Sequence, residues 1–323
     1  MKIKAISLFS GGLDSCLAIK IMQSMDVDVE AVYIDTGFDN NFNKVNYLEK
    51  TADELGVKFR YIDERSHFLE EILFKPKYGY GKNMNPCIDC HANMINLGYE
   101  YMKRIGAQFI ISGEVLGQRP MSQKIDGLKK IEKLSLNPEL VVRPLSAKLL
   151  PPTLPEINGW IDREKMYDIS GRERKRQMEL AYKFKLKNYE SPAGGCLLTD
   201  RNFSIKLKNF IKNNTLEVED IDILKVGRHL IINNKLIIIS RNKDENDILK
   251  NYKGNKFNKI YPIGIPGPIG VIEKMADRET KYIASQILLT YTKFGNGIIG
   301  INGEKFEVNR LNSKEDIKKY MIF

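Results

Sequence analysis

The sequence has little of what cross-linked or membrane-spanning proteins need. Its 323 residues include only four cysteines, three histidines and one tryptophan, and no apolar run approaches the roughly 20 residues that cross a bilayer. So few cysteines argue against a disulfide framework. The N-terminus lacks the small-residue cleavage site of a secretory signal, and the chain shows neither an internal repeat nor a low-complexity tract. These absences together predict a soluble, cytoplasmic globular protein.

Length and charge carry two further indications. A chain of 323 residues is longer than most single hydrophobic cores, so we expect two domains. The net charge is +10, and the last 123 residues contribute most of it, with 22 lysines and arginines against 14 aspartates and glutamates. This asymmetry indicates that the C-terminal part meets a polyanion, because basic side chains release counterions when they neutralise phosphates. The alternative is a solvated, lysine-rich surface without such a partner.

The first 113 residues alternate strands and helices. Short β-branched or aromatic runs lie at 3–9, 29–35, 57–63 and 107–113, and helical periodicity separates them at 13–25, 41–55 and 88–105. This order predicts an α/β fold, a doubly wound parallel sheet that binds ligands at the carboxyl ends of its strands.

The second half of the chain has a different pattern. We expect a first domain at 1–198 and a second, smaller α+β domain at 199–323. The predicted elements are a basic helix at 171–188, a helix at 201–212, strands at 223–232 and 235–240, a helix at 242–251, a Pro/Gly loop at 261–270, another helix and a hairpin around 302–306. The basic helix is equally explained as a solvated face.

A glycine-containing loop follows the first predicted strand. The segment Ser10-Gly11-Gly12-Leu13-Asp14-Ser15 lacks both the GK[ST] ending of the common phosphate loop and the spacing of the dinucleotide fingerprint. It nevertheless suits an anion, because two glycines let amide groups turn inward and the following helix presents its positive dipole end.

This hexapeptide resembles the SGGxDS signature of the PP-loop ATP pyrophosphatases, which cleave ATP between its α- and β-phosphates. The resemblance implies that pyrophosphate is held by Ser10, Gly11, Gly12, Asp14 and Ser15, with Asp14 next to a magnesium ion. It also makes Asp35, at the end of the second strand, a candidate contact on the adenine side. The alternative for Asp35 is a capping role.

Three of the four cysteines form a pattern. Cys87 and Cys90 are spaced as CxxC at a predicted helix start, and Cys196 follows a Gly-Gly pair, whereas Cys16 reads as a core residue. Three thiolates can hold a 4Fe-4S cluster that leaves one iron open for sulfide. They can also hold zinc with His91 as the fourth ligand, or act as a redox dithiol.

The segment 111–123, ISGEVLGQRPMSQ, resembles the TGExLGQxxSQ stretch of the tRNA 4-thiouridine synthetases, and RPLS at 143–146 resembles the Arg-Pro-Leu that follows it there. The CxxC with a distant cysteine is similar to that of the cluster-dependent tRNA thiolases. The resemblance implies ATP-dependent adenylation of a tRNA uridine and sulfur transfer from a 4Fe-4S cluster on Cys87, Cys90 and Cys196, with sulfide or another sulfur donor as co-substrate. The positions that would line the nucleotide and uridine pocket are Gly113, Glu114, Gly117, Gln118 and Ser122.

Two domains found in those synthetases are not expected in this sequence. We expect neither their N-terminal RNA-binding domain nor a rhodanese-like domain, so tRNA would be gripped elsewhere. The segment 225–252 is similar to the RNA-binding domain of the NFACT proteins, which implies RNA contacts at Arg228, His229 and Arg241. The alternative is that these polar residues fix turns in a domain without RNA.

Three rival hypotheses stay open at this point. The chain could be a PP-loop enzyme that acts on a small molecule with a zinc site, or an RNA-binding protein that senses ATP. Thiolation through a persulfide on Cys87 or Cys196, without a cluster, is the third. Neither the modified uridine nor the oxygen that sulfur replaces, at position 2 or 4, follows from the sequence.

Overall fold

The computed structural model describes residues 2–190 and 195–322. The chain divides into two compact units, an N-terminal unit at Met1–Thr199 and a C-terminal unit at Asp200–Phe323. Among the described residues, no helix combines the length and apolar character needed to cross a membrane.

The N-terminal unit is built on five parallel strands in the order β3-β2-β1-β4-β5. The strands are β1 (Lys4–Leu8), β2 (Asp28–Asp35), β3 (Lys58–Asp63), β4 (Phe109–Ser112) and β5 (Val141–Val142). The helices are α1 (Leu13–Gln23), α2 (Lys44–Leu55), α3 (Arg65–His67, continued as a π-helix over Phe68–Leu73), α4 (Cys87–Arg104), α5 (Ile125–Leu134), α6 (Leu154–Ile157) and α7 (Lys175–Lys183).

Helices cover both faces of this sheet, which confirms the doubly wound α/β prediction. On β1, Ala5 packs into the core that contains α1, α2 and α7, whereas its neighbour Ile6 packs into the core that contains α4 and α5. Both side chains are completely buried, as the alternation of side chains along a strand requires. Because all five strands are parallel, the loops at their carboxyl ends meet at one edge.

The C-terminal unit is an antiparallel sheet in the order β11-β10-β8-β9-β7-β6. Its strands are β6 (Arg228–Ile232), β7 (Lys235–Ile239), β8 (Phe257–Ile263), β9 (Gly270–Glu273), β10 (Asn296–Ile301) and β11 (Glu304–Asn309). Its helices are α8 (Arg201–Ile211), α9 (Val218–Lys225), α10 (Lys243–Lys250), α11 (Arg278–Thr290) and α12 (Glu315–Lys318). Helix α11 packs on one face of the sheet through Ala284, Ile287 and Leu288. The predicted hairpin is confirmed as β10 and β11, joined through Asn302 and Gly303, which both have positive φ.

Three predicted elements have different bounds in the structure. The basic helix spans only α7, because Gly171 has a φ of 82° before it and Lys185 has a φ of 56° after it. Residues 223–225 end α9 instead of starting a strand, since Glu217 and Asp220 form a capping box that begins a helix. The predicted Pro/Gly loop is shorter, because β8 continues to Ile263.

Candidate active site

The loop between β1 and α1 has a shape that its glycines permit. Gly11 has a φ of 74°, and a Cβ atom there would lie 2.5 Å from Cδ2 of Leu48, so a side chain does not fit. The Gly11 carbonyl accepts hydrogen bonds from the Tyr47 hydroxyl at 3.1 Å and from the Glu190 amide at 3.1 Å. The loop is therefore held by Tyr47 on α2 and by Glu190, which follows α7 in the chain.

Hydroxyl groups and helix amides face the mouth of this loop. Ser15 Oγ donates to the Gly12 carbonyl at 2.8 Å and lies 3.4 Å from Ser10 Oγ. The Cys16 amide donates to the Gly12 carbonyl at 3.1 Å, so the amides just before it stand at the open end of α1, where no helical acceptor exists. Amides, hydroxyls and the helix dipole together form a site suited to an anion.

Asp14 lies in the first turn of α1 and has one paired and one unpaired oxygen. Its Oδ2 accepts a hydrogen bond from Gln118 Nε2 at 2.7 Å and lies 3.4 Å from an Arg174 guanidinium nitrogen. Its Oδ1 is buried and has no hydrogen-bond partner among the described residues. A buried, unpaired carboxylate oxygen is costly, and oxygen ligands of this kind suit a divalent cation. Asp14 therefore fits the magnesium that accompanies a bound nucleotide.

The loop after β4 packs directly on the phosphate loop. A Cβ atom on Gly113 would lie 2.8 Å from the Ser15 amide nitrogen and Cα, so glycine is required for this approach. Gln118, farther along the same loop, accepts a hydrogen bond from Gln177 Nε2 at 3.3 Å. Gln177 is completely buried, and its Oε1 has no hydrogen-bond partner among the described residues.

Arg174 and Gln177 were not predicted as site residues. The sequence analysis treated their segment as a basic helix, in which charged residues usually face solvent. The signal was their spacing of three residues at a helix start: Arg174 is the N-cap of α7, and Gln177 lies in its first turn. Arg174 contacts Asp14 and Gln177 contacts Gln118, so the start of α7 borders the loop after β1.

Asp35 follows β2 at the same edge of the sheet, but both of its oxygens are engaged. Oδ1 accepts from the Gly37 amide at 2.7 Å, and Oδ2 accepts from the Tyr61 hydroxyl at 2.9 Å. Burial, and then the charge of Asp35, raise the pKa of Tyr61. Oδ1 of Asp35 therefore binds a backbone amide, as the capping alternative expects, and the nucleotide contact of Asp35 stays a prediction.

The three patterned cysteines lie at the sheet edge that carries the phosphate loop. Cys87 begins α4 and accepts a hydrogen bond from Asn85 Nδ2 at 3.1 Å, and Cys90 lies one turn later. Cys196 is exposed, and the next residue, Leu197, donates its amide to the Phe38 carbonyl at 2.8 Å, beside the loop after β2.

Two of the patterned cysteines have raised pKa values. Burial raises the pKa of Cys90 well above its usual value, and the charges of Cys196 and Cys87 raise it further. Burial also raises the pKa of Cys87, although the Asn85 hydrogen bond and the charge of Arg119 oppose this. Within 2–190 and 195–322, no three His, Cys, Asp or Glu side chains are already arranged to hold a metal ion.

The remaining cysteine is separate from this group. Cys16 is completely buried on α1, as expected for a core residue, and burial raises its pKa to about 12. His91, the candidate fourth zinc ligand, lies next to Cys90, but its Nδ1 is 2.7 Å from Oε1 of Glu114.

Glu114 is the centre of a buried ion pair behind the cysteines. Its Oε2 accepts from Arg143 Nε at 2.9 Å, and both side chains are less than a tenth exposed. Burial alone would raise the pKa of Glu114, but the Arg143 charge and the His91 hydrogen bond outweigh it and lower the pKa to about 2. The pair joins the loop after β4 to the residue that follows β5.

The low pKa of Glu114 gives a testable pH dependence. A carboxyl whose pKa falls from 4.5 to about 2 on folding stabilises the protein fully above pH 4.5, and this stabilisation is lost as the pH falls toward 2. We expect Glu114→Gln to lower the free energy of unfolding by about 3 kcal/mol at pH 7 and by much less near pH 2. Urea unfolding followed by the fluorescence of Trp160, the single tryptophan, reports on the N-terminal unit. Glu139→Gln, at an exposed position, is the control, and equal losses in the two variants at pH 7 would contradict the assignment.

The loop before α4 is tied down from two sides. Asp89, in the first turn of α4, accepts the amides of Lys77 at 2.7 Å and Tyr78 at 3.1 Å. Asn83 Nδ2 donates to the Thr199 carbonyl at 2.7 Å. The loop therefore connects the start of α4, which carries Cys87, with the turn that follows Cys196.

Two of the candidate RNA contacts are placed inside the C-terminal unit. Arg228 stacks on Tyr291, with 4.3 Å from its guanidinium carbon to the ring centre, and donates to the Ser240 carbonyl at 2.9 Å. His229 is 2% exposed, and its Nε2 lies 3.0 Å from the Val226 carbonyl oxygen. The expectation of an RNA contact at His229 therefore disagrees with the structure, because the ring lies in the interior.

Arg241 is the most accessible of the three candidates. Its side chain is half exposed, and its Nε donates to Oε1 of Glu245 at 2.8 Å. The carboxylate is buried, so the arginine is fixed at the surface with part of its guanidinium open to solvent. A phosphate contact at Arg241 is compatible with this position.

Comparisons with known proteins agree with this division of the chain. Residues 1–150 match the family model described as thiamine biosynthesis protein (ThiI), and residues 227–321 match that of the NFACT protein RNA binding domain. The chain is 32% identical over 146 residues to a probable tRNA sulfurtransferase of Thermococcus kodakarensis, which is 44% of this chain and 36% of that protein. It is 29% identical over 122 residues, 36% of each chain, to a tRNA-specific 2-thiouridylase MnmA of Sulfurimonas denitrificans. A solved 4-thiouridine synthetase in complex with RNA and ATP shares 21% identity and a TM-score of 0.40, over 60% of this chain and 44% of that one.

The parallel sheet, the loop after β1 and the family match give the N-terminal unit the fold of the PP-loop class. The chain joins a region similar to the ThiI family to a region similar to the NFACT RNA binding domain. It spans 36% of the length of each of the two curated relatives named above.

Proposed function

We propose that this protein is a tRNA sulfurtransferase that adenylates a uridine carbonyl oxygen with ATP and then replaces that oxygen with sulfur. The observation that carries the proposal is that the cysteines belong to segments at the carboxyl ends of the strands, as the anion loop does: Cys87 and Cys90 begin α4 after β3, and Cys196 precedes the contact of Leu197 with the loop after β2. A nucleotide site alone would explain the loop, and a thiol group alone would explain the cysteines. Only a reaction that couples ATP cleavage to sulfur chemistry uses both. Such a tRNA substrate implies a cytoplasmic location.

In the first step the uridine oxygen attacks the α-phosphorus of ATP, and pyrophosphate leaves. The amides at the start of α1 and the hydroxyls of Ser10 and Ser15 face the position of the leaving pyrophosphate. These dipoles are fixed by the contacts of Gly11 and Gly12 before substrate arrives, so they stabilise the developing charge with little reorganisation. Asp14 Oδ1 is the oxygen that would hold magnesium, and Arg174, at 3.4 Å from Oδ2, can turn toward a phosphate.

In the second step sulfur adds to the activated carbon of the base, and the bond to oxygen breaks, so that AMP leaves with the former carbonyl oxygen. Activation is required because a carbonyl oxygen leaves poorly and AMP leaves well. Arg119, whose charge lowers the pKa of Cys87, lies where the sulfur chemistry would occur. Gln118, next to it in the chain, contacts Asp14, so the two steps share one loop.

The thiol group fits a 4Fe-4S cluster by its donor chemistry. Soft thiolates suit iron-sulfur centres, and a spacing of two residues brings Cys87 and Cys90 to one turn at the start of α4. Cys87, Cys90 and Cys196 would hold the cluster, which when bound would supply the sulfur.

Nucleoside analysis tests this function. The protein is reconstituted anaerobically with iron and sulfide and incubated with a uridine-containing tRNA transcript, ATP and magnesium. After digestion, mass spectrometry should find a thiouridine, with one AMP formed per sulfur inserted, and the mass spectrum of its fragments identifies position 2 or 4. A reaction without ATP is the control. Unchanged tRNA that nevertheless binds tightly would instead support an ATP-sensing RNA-binding protein.

A further inference from the structure

The C-terminal unit has a surface groove that no step of the proposed chemistry uses. It lies beside β8, the loop that follows β8 and the end of α10, and it has a volume of about 460 Å³. The residues that matter for its chemistry are Lys250, Lys259, Tyr261, Pro262, Ile265 and Pro266. The groove therefore combines one aromatic ring, apolar walls and two lysines.

The strand β8 presents Lys259 and Tyr261 on the same side. Ile260 between them is completely buried in the core with α11, so the two alternate residues point away from that core. Tyr261 is 41% exposed, which is high for an aromatic residue in an inner strand of the sheet. Its ring is thus available to a ligand.

A glycine on the neighbouring strand sets the position of the tyrosine ring. Gly300 on β10 is directly opposite Tyr261, and a Cβ atom at Gly300 would lie 3.1 Å from the ring atoms Cε2 and Cζ. The ring therefore lies over the backbone of β10, where a larger residue would press against it. One face of the ring is supported by the sheet and the other is free to stack.

A second glycine allows the loop that forms one wall of the groove to pack closely against β8. Gly267 lies in the loop between β8 and β9, and a Cβ atom there would lie 3.0 Å from Cγ of Pro262 and 2.8 Å from Cγ2 of Thr292. The loop is thus folded tightly against the end of β8. Proline and isoleucine side chains make its inner side apolar, which suits the flat face of a nucleobase.

The charges at the groove are of one sign. Lys250, at the end of α10, and Lys259 are both exposed, and neither forms an ion pair with another described residue. Lysines without acidic partners are available to phosphates. The excess of basic residues after position 200 gives the same sign to the unit as a whole.

We propose that this groove binds an unpaired stretch of RNA, with one base stacked on Tyr261 and the flanking phosphates near Lys250 and Lys259. Sheet surfaces that expose aromatic rings between basic side chains bind single strands in this way, because stacked bases need unpaired faces. A duplex keeps its base faces stacked inside and offers only phosphates. The inference deepens the proposed function, on which it rests, by stating which feature of the RNA substrate is held.

Fluorescence anisotropy on the full-length protein tests the groove directly. The probes are a labelled single-stranded 12-nucleotide RNA and an RNA hairpin. The only unpaired bases of the hairpin are the four of its tetraloop. Tyr261→Ala should weaken binding of the single strand by about 5- to 100-fold and leave hairpin binding nearly unchanged. Tyr261→Phe should retain binding, since the ring is kept. Tyr282→Ala, at another exposed tyrosine of the same unit, is the matched control.

The two lysines are tested by the salt dependence of RNA binding. Lys250→Ala and Lys259→Ala should each reduce the slope of log affinity against log salt concentration by about 1. Because both lysines lie at the surface, these variants still test the groove if Tyr261→Ala folds poorly. Equal affinity for single strand and hairpin, or full binding by folded Tyr261→Ala, would overturn the inference. Pyrophosphate release from ATP and thiouridine formation are measured on the same variants. A protein that binds single strands through Tyr261 but forms no thiouridine would retain the groove and refute the proposed reaction.

Discussion

Replacement of Asp14 by alanine is expected to abolish the cleavage of ATP to AMP and pyrophosphate. The substitution removes the buried Oδ1 that suits magnesium and leaves the donors of Gln118 and Arg174 without their acceptor. Loss of one preorganised electrostatic group commonly lowers kcat by 100- to 1000-fold, so we expect a fall of at least about 100-fold. AMP and pyrophosphate formation in the presence of tRNA measures it.

Two variants separate chemistry from folding at this position. Asp14→Asn keeps the shape and an oxygen acceptor for Gln118 but loses the charge, and it should be as inactive as the alanine variant. Asp126→Asn, at an exposed position in the first turn of α5, should behave as wild type. Adenylation at the normal rate by a folded Asp14→Ala protein would remove Asp14 from the site.

Replacement of Cys90 or Cys196 by alanine should abolish thiolation while ATP cleavage continues. In the proposed reaction the two steps use different groups, because the anion loop would bind the nucleotide and the thiols would serve the sulfur chemistry. The anaerobically reconstituted variants should lack the brown colour of the cluster. Their rate of thiouridine formation should fall by at least about 100-fold, whereas the rate of AMP formation should fall much less. Iron and sulfide analysis with nucleoside mass spectrometry measures both.

Cys16 offers a matched control for the cysteine variants. It is fully buried on α1 behind the loop and does not belong to the thiol group, so Cys16→Ala should keep both the colour and the thiolation. Full thiolation by Cys196→Ala would contradict the three-cysteine cluster. Thiolation by a wild-type protein free of iron, with a persulfide detected on Cys87 or Cys196, would replace the cluster mechanism by a persulfide one.

Local patterns were sufficient to predict the sheet and its loop. β1, β2 and β4 are short, largely buried apolar runs, as is typical of inner parallel strands. The edge strand β3 has no fully buried residue, and its aromatic and β-branched residues made it recognisable. The glycines before α1 indicated an anion loop because their role is a property of the backbone. Gly11 indeed has a positive φ and no room for a side chain.

Contacts between distant parts of the chain were not predictable in this way. Arg174 reaches Asp14 across 160 positions, and its identity as a site residue depends on where α7 packs. The same limit applies to His229, which the NFACT resemblance suggested as an RNA contact although the ring is buried. A residue type indicates what a side chain can do, whereas tertiary packing decides what it faces.

The hydrogen bond from the Glu190 amide to the Gly11 carbonyl ties the phosphate loop to a segment far along the chain. The same carbonyl accepts a hydrogen bond from the Tyr47 hydroxyl on α2. In the proposed reaction, a loop anchored from two distant segments would keep its amides in place while negative charge builds up on the departing pyrophosphate.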